Sequence, residues 1–393
     1  SFVAAQEISE KQELAIFSLS HYRWQIPGGA LALVDEQMKA VFVNLGRFNV
    51  VGMTYRLDGD GVDEFIRKIR EVKEQNVELP ETVRLGQEAF TEADFNKLIN
   101  SFIVVVPVMT KYGLERGENG EFSSKIEVSF SFINVETAEG FGYFTVEVEG
   151  KADSGRQAVE QAAEKISPQL TFELRKIPEL QLKSGIINVQ GRQIYLEFGA
   201  NMGVAVGDEY AIVADTVLPT GHIISEETGL LIVDDVKDEL SIATLVYSET
   251  KPQIGDQLEE IPRFGFDTGV HIRSVLAAEK LVGMIGIRQS ISRGFLTYRP
   301  VIGIDVPFSV LGTTNLPGLV VNVYGGGEIN WYLWRFQVVP TAALGVGGSV
   351  PLDEGESFKV SHAGGFIELL VSYLLNRDIK LSAAVGYTGW FRL

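Results

Sequence analysis

The last sixteen residues of the chain, 378–393, alternate between two kinds of side chain. One set is apolar and includes Tyr387 and Phe391, whereas the other is mostly small or polar and includes Ser382 and Gly386. Strands of soluble proteins typically contain about five or six residues, and a tilted strand of about 9–11 residues crosses a bilayer. The pattern therefore predicts a transmembrane β-strand with its apolar face toward lipid.

Similar alternation recurs upstream, from residue 264 onward. It predicts six further strands, at about 270–276, 281–288, 301–310, 319–331, 336–347 and 367–373. Single-chain bacterial barrels have an even number of strands, so we expect eight. The second face of these strands carries glycine, serine, alanine and isolated charges, which suits a narrow lumen better than the charged outer face of a soluble sandwich. We therefore interpret residues 263–393 as an antiparallel outer-membrane β-barrel of about eight strands.

Two groups of residues in this barrel are candidates for special roles. Charges on the inward positions are costly if unpaired, so we expect them to form an ion-pair network in the barrel lumen, although the same groups could line an ion path. The network residues are Arg273, Arg288, Asp305, Glu328 and Glu368. Aromatic residues near strand ends are expected to form a girdle at the membrane interfaces. The girdle residues are Tyr298, Trp331, Trp334, Tyr373, Trp390 and Phe391.

The connections predicted between these strands are of two kinds. Some are short, at 292–294 and 376–378, and others are longer, at 311–317 and 351–356. Outer-membrane barrels have short periplasmic turns and longer outer loops. The tail, with Tyr387 and Phe391 in phase, also resembles the C-terminal signal of outer-membrane proteins.

Residues 1–180 show a different, mixed pattern. A short apolar strand at 14–19 is followed by a helix that begins after Pro27 and ends at Gly46, and then by a second strand, which predicts a parallel crossover unit. Two more helical stripes precede strands joined by an Asn119-Gly120 hairpin turn. A closing helix capped by Asp153-Ser154 completes a predicted α+β domain.

This order of elements, with Gly46-Arg47-Phe48-Asn49-Val50-Val51 leaving the first helix, resembles a periplasmic domain family. Its members are found in the curli secretion protein CsgG, the N-terminal part of TolB and the middle domain of the flagellar ring protein FlgT. The resemblance implies a scaffold or ring-forming module and not an enzyme.

Residues 181–262 alternate and then place glycines four apart, at Gly199, Gly203 and Gly207. A phosphate-binding loop would require its own spacing and a following helix, but the segment Glu209-Tyr210-Ala211-Ile212-Val213 that follows is a strand pattern. These glycines are therefore predicted to form turns of a small β-barrel. The segment resembles the C-terminal domain of FlgT.

Charge is distributed unevenly along the chain. The net charge is −18, yet residues 264–393 carry ten basic and nine acidic side chains, so the acidity belongs to the first two thirds. This indicates a well-solvated portion that is poorly suited to bind nucleic acid. The chain has no cysteine, and no apolar run is long enough for a transmembrane helix. The segment 3–5 suggests the edge of a removed signal peptide, although an ordinary terminus is equally compatible.

Residues that would support chemistry are scattered. His21, His222, His271 and His362 are far apart in sequence and lack metal-ligand spacing, and the acidic turn at 58–64 lacks the distal ligand of a calcium loop. We therefore expect no enzyme activity, no cofactor and no metal.

The sequence favours an outer-membrane protein whose barrel anchors two periplasmic modules. We expect these to act as a scaffold or ring component of a flagellar or secretion-type envelope machine, with outer-membrane lipid and envelope proteins, or copies of itself, as partners. Two alternatives stay open: a narrow channel or porin gated by the periplasmic domains, and a surface adhesin that uses the outer loop at 311–315.

Overall fold

The computed structural model describes residues 9–22, 26–57, 59–75, 82–85, 88–220, 222–277, 280–307, 318–351 and 359–393. The small-residue segment 3–5 and the loops 308–317 and 352–358, which include the proposed adhesin loop, lie outside these ranges. Two compact units are present. The first contains residues 8–182 and 200–203, and the second contains residues 183–199 and 204–393.

The chain is mostly β, with 57% of residues in strands and 19% in helices. The helices of the described segments all lie in the first unit. They are α1 Gly28–Asn44, α2 Gly59–Gln75, α3 Glu92–Asn100, α4 Gly155–Glu164 and α5 Ile166–Lys176. The strands of the first unit are β1 Gln12–Ile16, β2 Ser20–His21, β3 Phe48–Gly52, β4 Thr82–Leu85, β5 Glu88–Thr91, β6 Ile103–Arg116, β7 Phe122–Asn134 and β8 Glu139–Ala152. No helix in the described residues is both long and apolar enough to span a membrane.

The main sheet of the first unit has the order β3-β1-β6-β7-β8, and β2 pairs with β6. The crossover predicted from the sequence is present, since β1 and β3 pair in parallel on either side of α1. One apolar cluster packs α1, α4 and α5 on one sheet face, and a second packs α2, α3 and the β4–β5 hairpin on the other. Both faces are covered, which explains why β6 begins with seven consecutive buried residues.

Local sequence accounts for the ends of two helices. Helix α1 buries Leu31, Val34 and Met38 at helical spacing and is followed by Gly46 at φ +78°, which a side chain would strain. Helix α4 is capped by the hydroxyl of Ser154, which accepts a hydrogen bond from the Gln157 amide. The sequence did not predict that a separate helix, α5, follows α4, nor the β4–β5 hairpin.

The second unit begins with a closed barrel of six strands in the order β10-β13-β12-β11-β14-β9. Its strands are β9 Lys183–Gln190, β10 Gln193–Leu196, β11 Glu209–Val217, β12 Ile223–Val236, β13 Ser241–Ser248 and β14 Gln257–Ile261. Gly203 and Gly207, at φ +77° and +84°, form turns before β11 as the sequence predicts. The small β-barrel predicted for residues 181–262 is confirmed, and we call it the small barrel.

The rest of the second unit is one antiparallel sheet, which we call the large sheet. Its strands are β15 Phe266–Ala277, β16 Lys280–Ile291, β17 Tyr298–Pro307, β18 Gly318–Ile329, β19 Trp331–Leu333, β20 Phe336–Pro351, β21 Lys359–Leu374 and β22 Lys380–Arg392. The order is β15-β16-β17-β18-β20-β21-β22, and the three-residue β19 pairs with β20. The fourth predicted strand, 319–331, is thus two strands that the alternation merged.

The large sheet curls into a nearly closed barrel. It differs from the expected closed barrel of about eight strands, because seven strands are long and, among the described residues, no ladder joins β15 to β22. Successive antiparallel pairing of seven strands leaves the first and last running in the same direction, so antiparallel closure between them is impossible. Strand β22 starts beside the 375–379 turn and ends at the opposite end of the sheet, away from that turn.

Candidate functional site

The two faces of the large sheet differ sharply in chemistry. On β17, Val301, Gly303 and Asp305 are buried and alternate with Ile302 and Ile304, which are exposed. The same alternation continues through the neighbouring ladders, because directly paired residues share a face. The inward face is therefore polar and buried, and the outward face is apolar and exposed.

The five charged side chains named from the sequence lie together inside the curled sheet. Glu368 on β21 accepts hydrogen bonds from both arginines, at 3.1 Å from Arg273 Nη2 and 2.7 Å from Arg288 Nη1. Arg288 also pairs with Glu328, and Arg273 Nη1 lies 3.6 Å from Asp305 Oδ2. Four strands, β15 to β18, are thereby linked across the interior to β21.

Further polar residues extend this network at both ends. His271 Nε2 lies 2.7 Å from Asp305 Oδ1, and Arg288 Nη2 lies 2.7 Å from the hydroxyl of Thr341. Asn330 donates to Glu328 and accepts from Gln337. The sequence did not predict these four residues as members of the network, although all but Asn330 lie at inward positions of the long strands, in phase with the predicted charges.

Glycines on the inward face make space for these side chains. A Cβ on Gly286 would overlap the carboxylate of Asp305, and one on Gly303 would overlap the ring of Tyr324. The ring of Phe366 lies 4.3 Å from the Arg273 guanidinium, so the network also packs against an aromatic residue. The interior is thus filled with side chains instead of being left as a wide polar passage.

The outward face carries a continuous set of exposed apolar side chains. Val270 and Ile272 on β15 are 73% and 74% exposed, and Val385 on β22 is 75% exposed. Other members of this set, all at least 41% exposed, are Ile285, Ile287, Ile302, Ile304, Val323, Leu344, Val346, Ile367, Leu369, Val371 and Leu381. An apolar face of this extent on every long strand far exceeds the patches usual on soluble monomers.

The predicted girdle residues fall into two groups in the structure. Tyr298, Trp331, Trp334, Tyr373 and Phe391 are exposed. Trp390 differs, because it shares the inward register with Gly364 and its ring lies 5.3 Å from that of His362. Its assignment to an outward girdle is therefore corrected: position 390 has the parity of the small and polar residues of β22.

Three turns of the large sheet contact the small barrel. In the turn after β16, the amide of Gly294 donates to Val206 O at 2.7 Å. In the turn before β20, Arg335 lies 3.8 Å above the Tyr247 ring. In the turn before β22, Arg377 pairs with Glu227 at 2.8 Å. The small barrel therefore caps this end of the large sheet.

The cap has an apolar centre as well as polar contacts. Leu296 and Leu374 of the large sheet are buried in one cluster with Leu230, Ile232 and Val246 of the small barrel. Arg192 of the small barrel donates to Tyr332 O at 2.7 Å and lies 5.4 Å from the Trp334 ring. The two β structures are thus packed as one compact body, consistent with their membership of one unit.

One arginine in the cap lies between two carboxylates with opposite pKa shifts. Arg263 Nε lies 2.8 Å from Glu209, and its Nη1 lies 2.7 Å from Asp378. Burial raises the pKa of Glu209 and outweighs the opposing effect of Arg263. The hydrogen bond from Arg263 lowers the pKa of Asp378, which is more exposed. The two carboxylates that pair with this guanidinium therefore lie in different dielectric environments.

The described residues contain no group of three or more histidine, aspartate or glutamate side chains that could hold a metal ion. The four histidines stay separate, and the two inside the large sheet bind different partners. His271 contacts Asp305, and His362 Nε2 lies 2.8 Å from Asn322 Oδ1.

No protein-family model and no curated protein sequence matches the chain. Among solved structures, a PelC dodecamer from Paraburkholderia phytofirmans is 15% identical, covers 41% of this chain and 89% of its own, and has a TM-score of 0.24. Lipoprotein GNA1162 from Neisseria meningitidis is 6% identical, with coverage of 41% and 98% and a TM-score of 0.24. A putative neuraminyllactose-binding hemagglutinin homolog from Helicobacter pylori is 12% identical, with coverage of 45% and 92% and a TM-score of 0.27. These similarities are too low to bear on function, and the resemblance to CsgG and FlgT stays a prediction.

Proposed function

We propose that this protein is a non-enzymatic outer-membrane protein. In this proposal the large sheet crosses the membrane as an anchor, and the small barrel and the first unit form a periplasmic scaffold for an envelope assembly. The observation that carries the proposal is the orientation of the large sheet, with buried charges inside and exposed apolar side chains outside.

Water would not favour this arrangement. Burying apolar surface contributes about 25 cal/mol per Å², so a curled sheet in water should keep its valines and isoleucines inside. A bilayer reverses this preference, because the outward face then meets hydrocarbon and the polar side chains are satisfied within the protein. Strands of 10–16 residues, such as β17 and β20, are also long enough to span it.

Two observations favour an anchor over a channel. The charged side chains are paired with each other across the interior, and Asp305, Glu328 and Glu368 have side chains at most 9% exposed. The small barrel caps the end that carries the turns after β16, before β20 and before β22. A conducting pore would require both the network and the cap to move aside.

The scaffold role rests on weaker support. The first unit is acidic and well solvated, and the order of its elements resembles the ring-forming and scaffold modules described above. We propose that it binds envelope proteins or other copies of itself, in the manner that the resemblance implies.

Membrane insertion is tested by refolding the full chain into detergent micelles and lipid vesicles. Folded membrane barrels resist SDS at room temperature, so the unheated protein should migrate differently from the boiled protein. It should also float with vesicles in a density gradient. If the folded protein stays in the aqueous fractions and shows no heat-dependent shift, the anchor proposal is wrong.

Planar-bilayer recording separates the anchor from a channel. We expect no reproducible single-channel steps from the folded protein. Steps that change size on Asp305→Asn or Glu328→Gln would replace the anchor proposal with the channel alternative. A variant with the loop 311–315 deleted should fold and insert normally, and a loss of host-ligand binding in that variant would favour the adhesin alternative.

A further inference from the structure

The two edges of the large sheet meet at a seam that carries no backbone ladder. Strand β15 pairs only with β16, and β22 pairs only with β21, among the described residues. Open sheet edges do not occur in the hydrocarbon region of a membrane, because lipid cannot satisfy the backbone amides and carbonyls. If the large sheet crosses a bilayer, as proposed above, the seam must be occupied or closed.

The two edge strands are tied to each other at the end beside the small barrel. Beside the small barrel, Arg263 donates to Arg377 O at 2.7 Å and pairs with Asp378, and Lys380 Nζ lies 3.3 Å from Asp267 Oδ2. These contacts fix the first residues of β15 next to the first residues of β22. Beyond them no backbone ladder between described residues joins β15 to β22, and Arg273 on β15 reaches past the seam to Glu368 on β21, at 3.1 Å.

The inward face of β22 is uncovered along the seam. Ser382, Ala384 and Gly386 point inward and are exposed, whereas Thr341 and Ala343 on β20, also inward, are buried. Ser382 Oγ lies 2.7 Å from Ser372 Oγ of β21, but the side of these small residues that faces the seam stays exposed. This exposed side is available to the side chains of an additional element.

The direction of the edge strands restricts what that element can be. Both edges run away from the small barrel, so a strand that pairs antiparallel with both must run toward it. A second copy in the same membrane orientation offers only edges that run in the wrong direction. An added strand of this direction would also bring the number of long strands to eight.

From these observations we infer that the seam is an acceptor site for one β-strand of another polypeptide. The strand is an extended segment of about ten residues that enters from the end opposite the small barrel. It presents apolar side chains outward, level with Ile272 and Val385, and small or polar ones inward. Main-chain hydrogen bonds to both edges provide the binding energy, so recognition depends on this alternation.

The absence of cysteine from the chain permits a direct test with single introduced thiols. The probe is a synthetic peptide with the sequence of β21, residues 359–374, in which the residue corresponding to Ile367 is replaced by cysteine. Strand β21 already pairs antiparallel with β22, so its sequence suits an edge of this sheet. The peptide is added during refolding in micelles to Ile272→Cys, Val385→Cys or Leu344→Cys protein, under mild oxidation.

We expect disulfide adducts with Ile272→Cys and with Val385→Cys, each at least tenfold above the adduct with Leu344→Cys. Leu344 is a matched control, since it is outward and 77% exposed but lies on β20, which has partners on both sides. A scrambled peptide should give adducts only at the level of the control.

The double variant Ile272→Cys/Val385→Cys, without peptide, tests direct closure. Paired strands lie about 4.8 Å apart, within the reach of a disulfide, whereas two edges spaced to admit a strand between them lie about twice that distance apart. We expect little intramolecular disulfide. Its rapid formation in most molecules would show that β15 and β22 pair directly, and disulfides between two copies would show a shared seam; either result overturns the acceptor site.

Retention of the heat-dependent gel shift separates this inference from the proposed function. Absence of adducts in protein that still shows the shift overturns the acceptor site alone. Loss of the shift and of vesicle binding in all variants and in the parent chain overturns the membrane anchor, and the acceptor site falls with it.

Discussion

The small barrel and the large sheet are both built from antiparallel strands, yet their apolar faces point in opposite directions. The small barrel buries its apolar side chains, whereas the large sheet exposes them. In the small barrel, Leu230, Leu231 and Val233 of β12 are buried, and Glu226 of the same strand is exposed. In the large sheet, Asp305 and Glu328 are buried and Ile272 and Val385 are exposed. This contrast between two adjacent β structures supports the proposal that the small barrel meets water and the large sheet meets hydrocarbon.

The comparison also shows how each structure is held together. The small barrel is closed by backbone ladders around its whole circumference and buries apolar side chains such as Ile194, Leu231 and Val233. Among the described residues the large sheet has no ladder at its seam, and its interior is held by arginine–carboxylate pairs that cross it. We expect the two to respond differently to the same type of substitution.

The largest expected effect is from the loss of the acceptor shared by two arginines. Glu368→Ala leaves Arg273 and Arg288 without one partner each, and breaking a buried ion pair in this way costs about 3–5 kcal/mol. Urea unfolding in detergent or vesicles, followed by the gel shift, measures the change. Glu226→Ala, at an exposed position of the small barrel, is the control and should change the unfolding midpoint little. Equal effects in the two variants would mean that the network does not hold the large sheet.

The next prediction tests whether the outward face of the large sheet contacts lipid or water. Leu344→Arg places a charge at the middle of an outward strand, and Arg near the bilayer midplane costs about 2–4 kcal/mol. Ile187→Arg, at an exposed apolar position of the small barrel, should shift stability by less than about 0.5 kcal/mol. Vesicle-based unfolding of both variants provides the measurement. If Leu344→Arg is as mild as Ile187→Arg, the outward face meets water.

A smaller effect is expected at the cap. Arg335→Met removes the cation above the Tyr247 ring, a contact worth about 1 kcal/mol when partly desolvated. Because this contact joins the two β structures, its loss should separate their unfolding transitions as well as lower stability. Amide hydrogen exchange of strands β9–β14 reports the small barrel, and the gel shift reports the large sheet. Arg392→Met, at an exposed position near the end of β22, is the control and should leave the transitions coincident.

The smallest effect concerns pH and the two carboxylates that share Arg263. The pKa of Asp378 is lowered in the folded state, so its contribution is present above its unfolded pKa and is lost as pH falls through the folded value. The pKa of Glu209 is raised, so its contribution is present below its unfolded pKa and is lost as pH rises through the folded value. Chemical unfolding from pH 3 to pH 7 should show a weaker acid-side loss in Asp378→Asn and a weaker loss on raising the pH in Glu209→Gln. The same pH profile in both variants would contradict the assigned shifts.

Several features of the fold could be predicted because they depend on local sequence. The alternation of β17 and β20 assigns their inward and outward residues, since successive side chains of a strand point to opposite faces. Helix α1 could be predicted from the spacing of its buried residues and the glycine that follows. The five residues of the charged network could be predicted, because all five lie at inward positions of their strands. Which of them pair with each other could not be predicted.

Other features depend on contacts between distant segments. Alternation continues across the bend after Ile329, so β18 and β19 merged into one predicted strand. The girdle assignment of Trp390 relied on its position near a strand end and ignored its parity. The arginines of the cap carry no local signal, because Arg335 and Arg377 resemble ordinary turn residues until the small barrel is placed against them.

The sequence by itself determined which side chains share a face, because that depends only on the period of an extended chain. It also determined that the last third of the chain carries charge and apolar residues on opposite faces. The tertiary structure decided which face is inside, how Glu368 joins two arginines from different strands, and that the two edge strands run in the same direction without pairing. Those features depend on the curl and the number of strands in the sheet, and both arise from pairing between residues far apart in the chain.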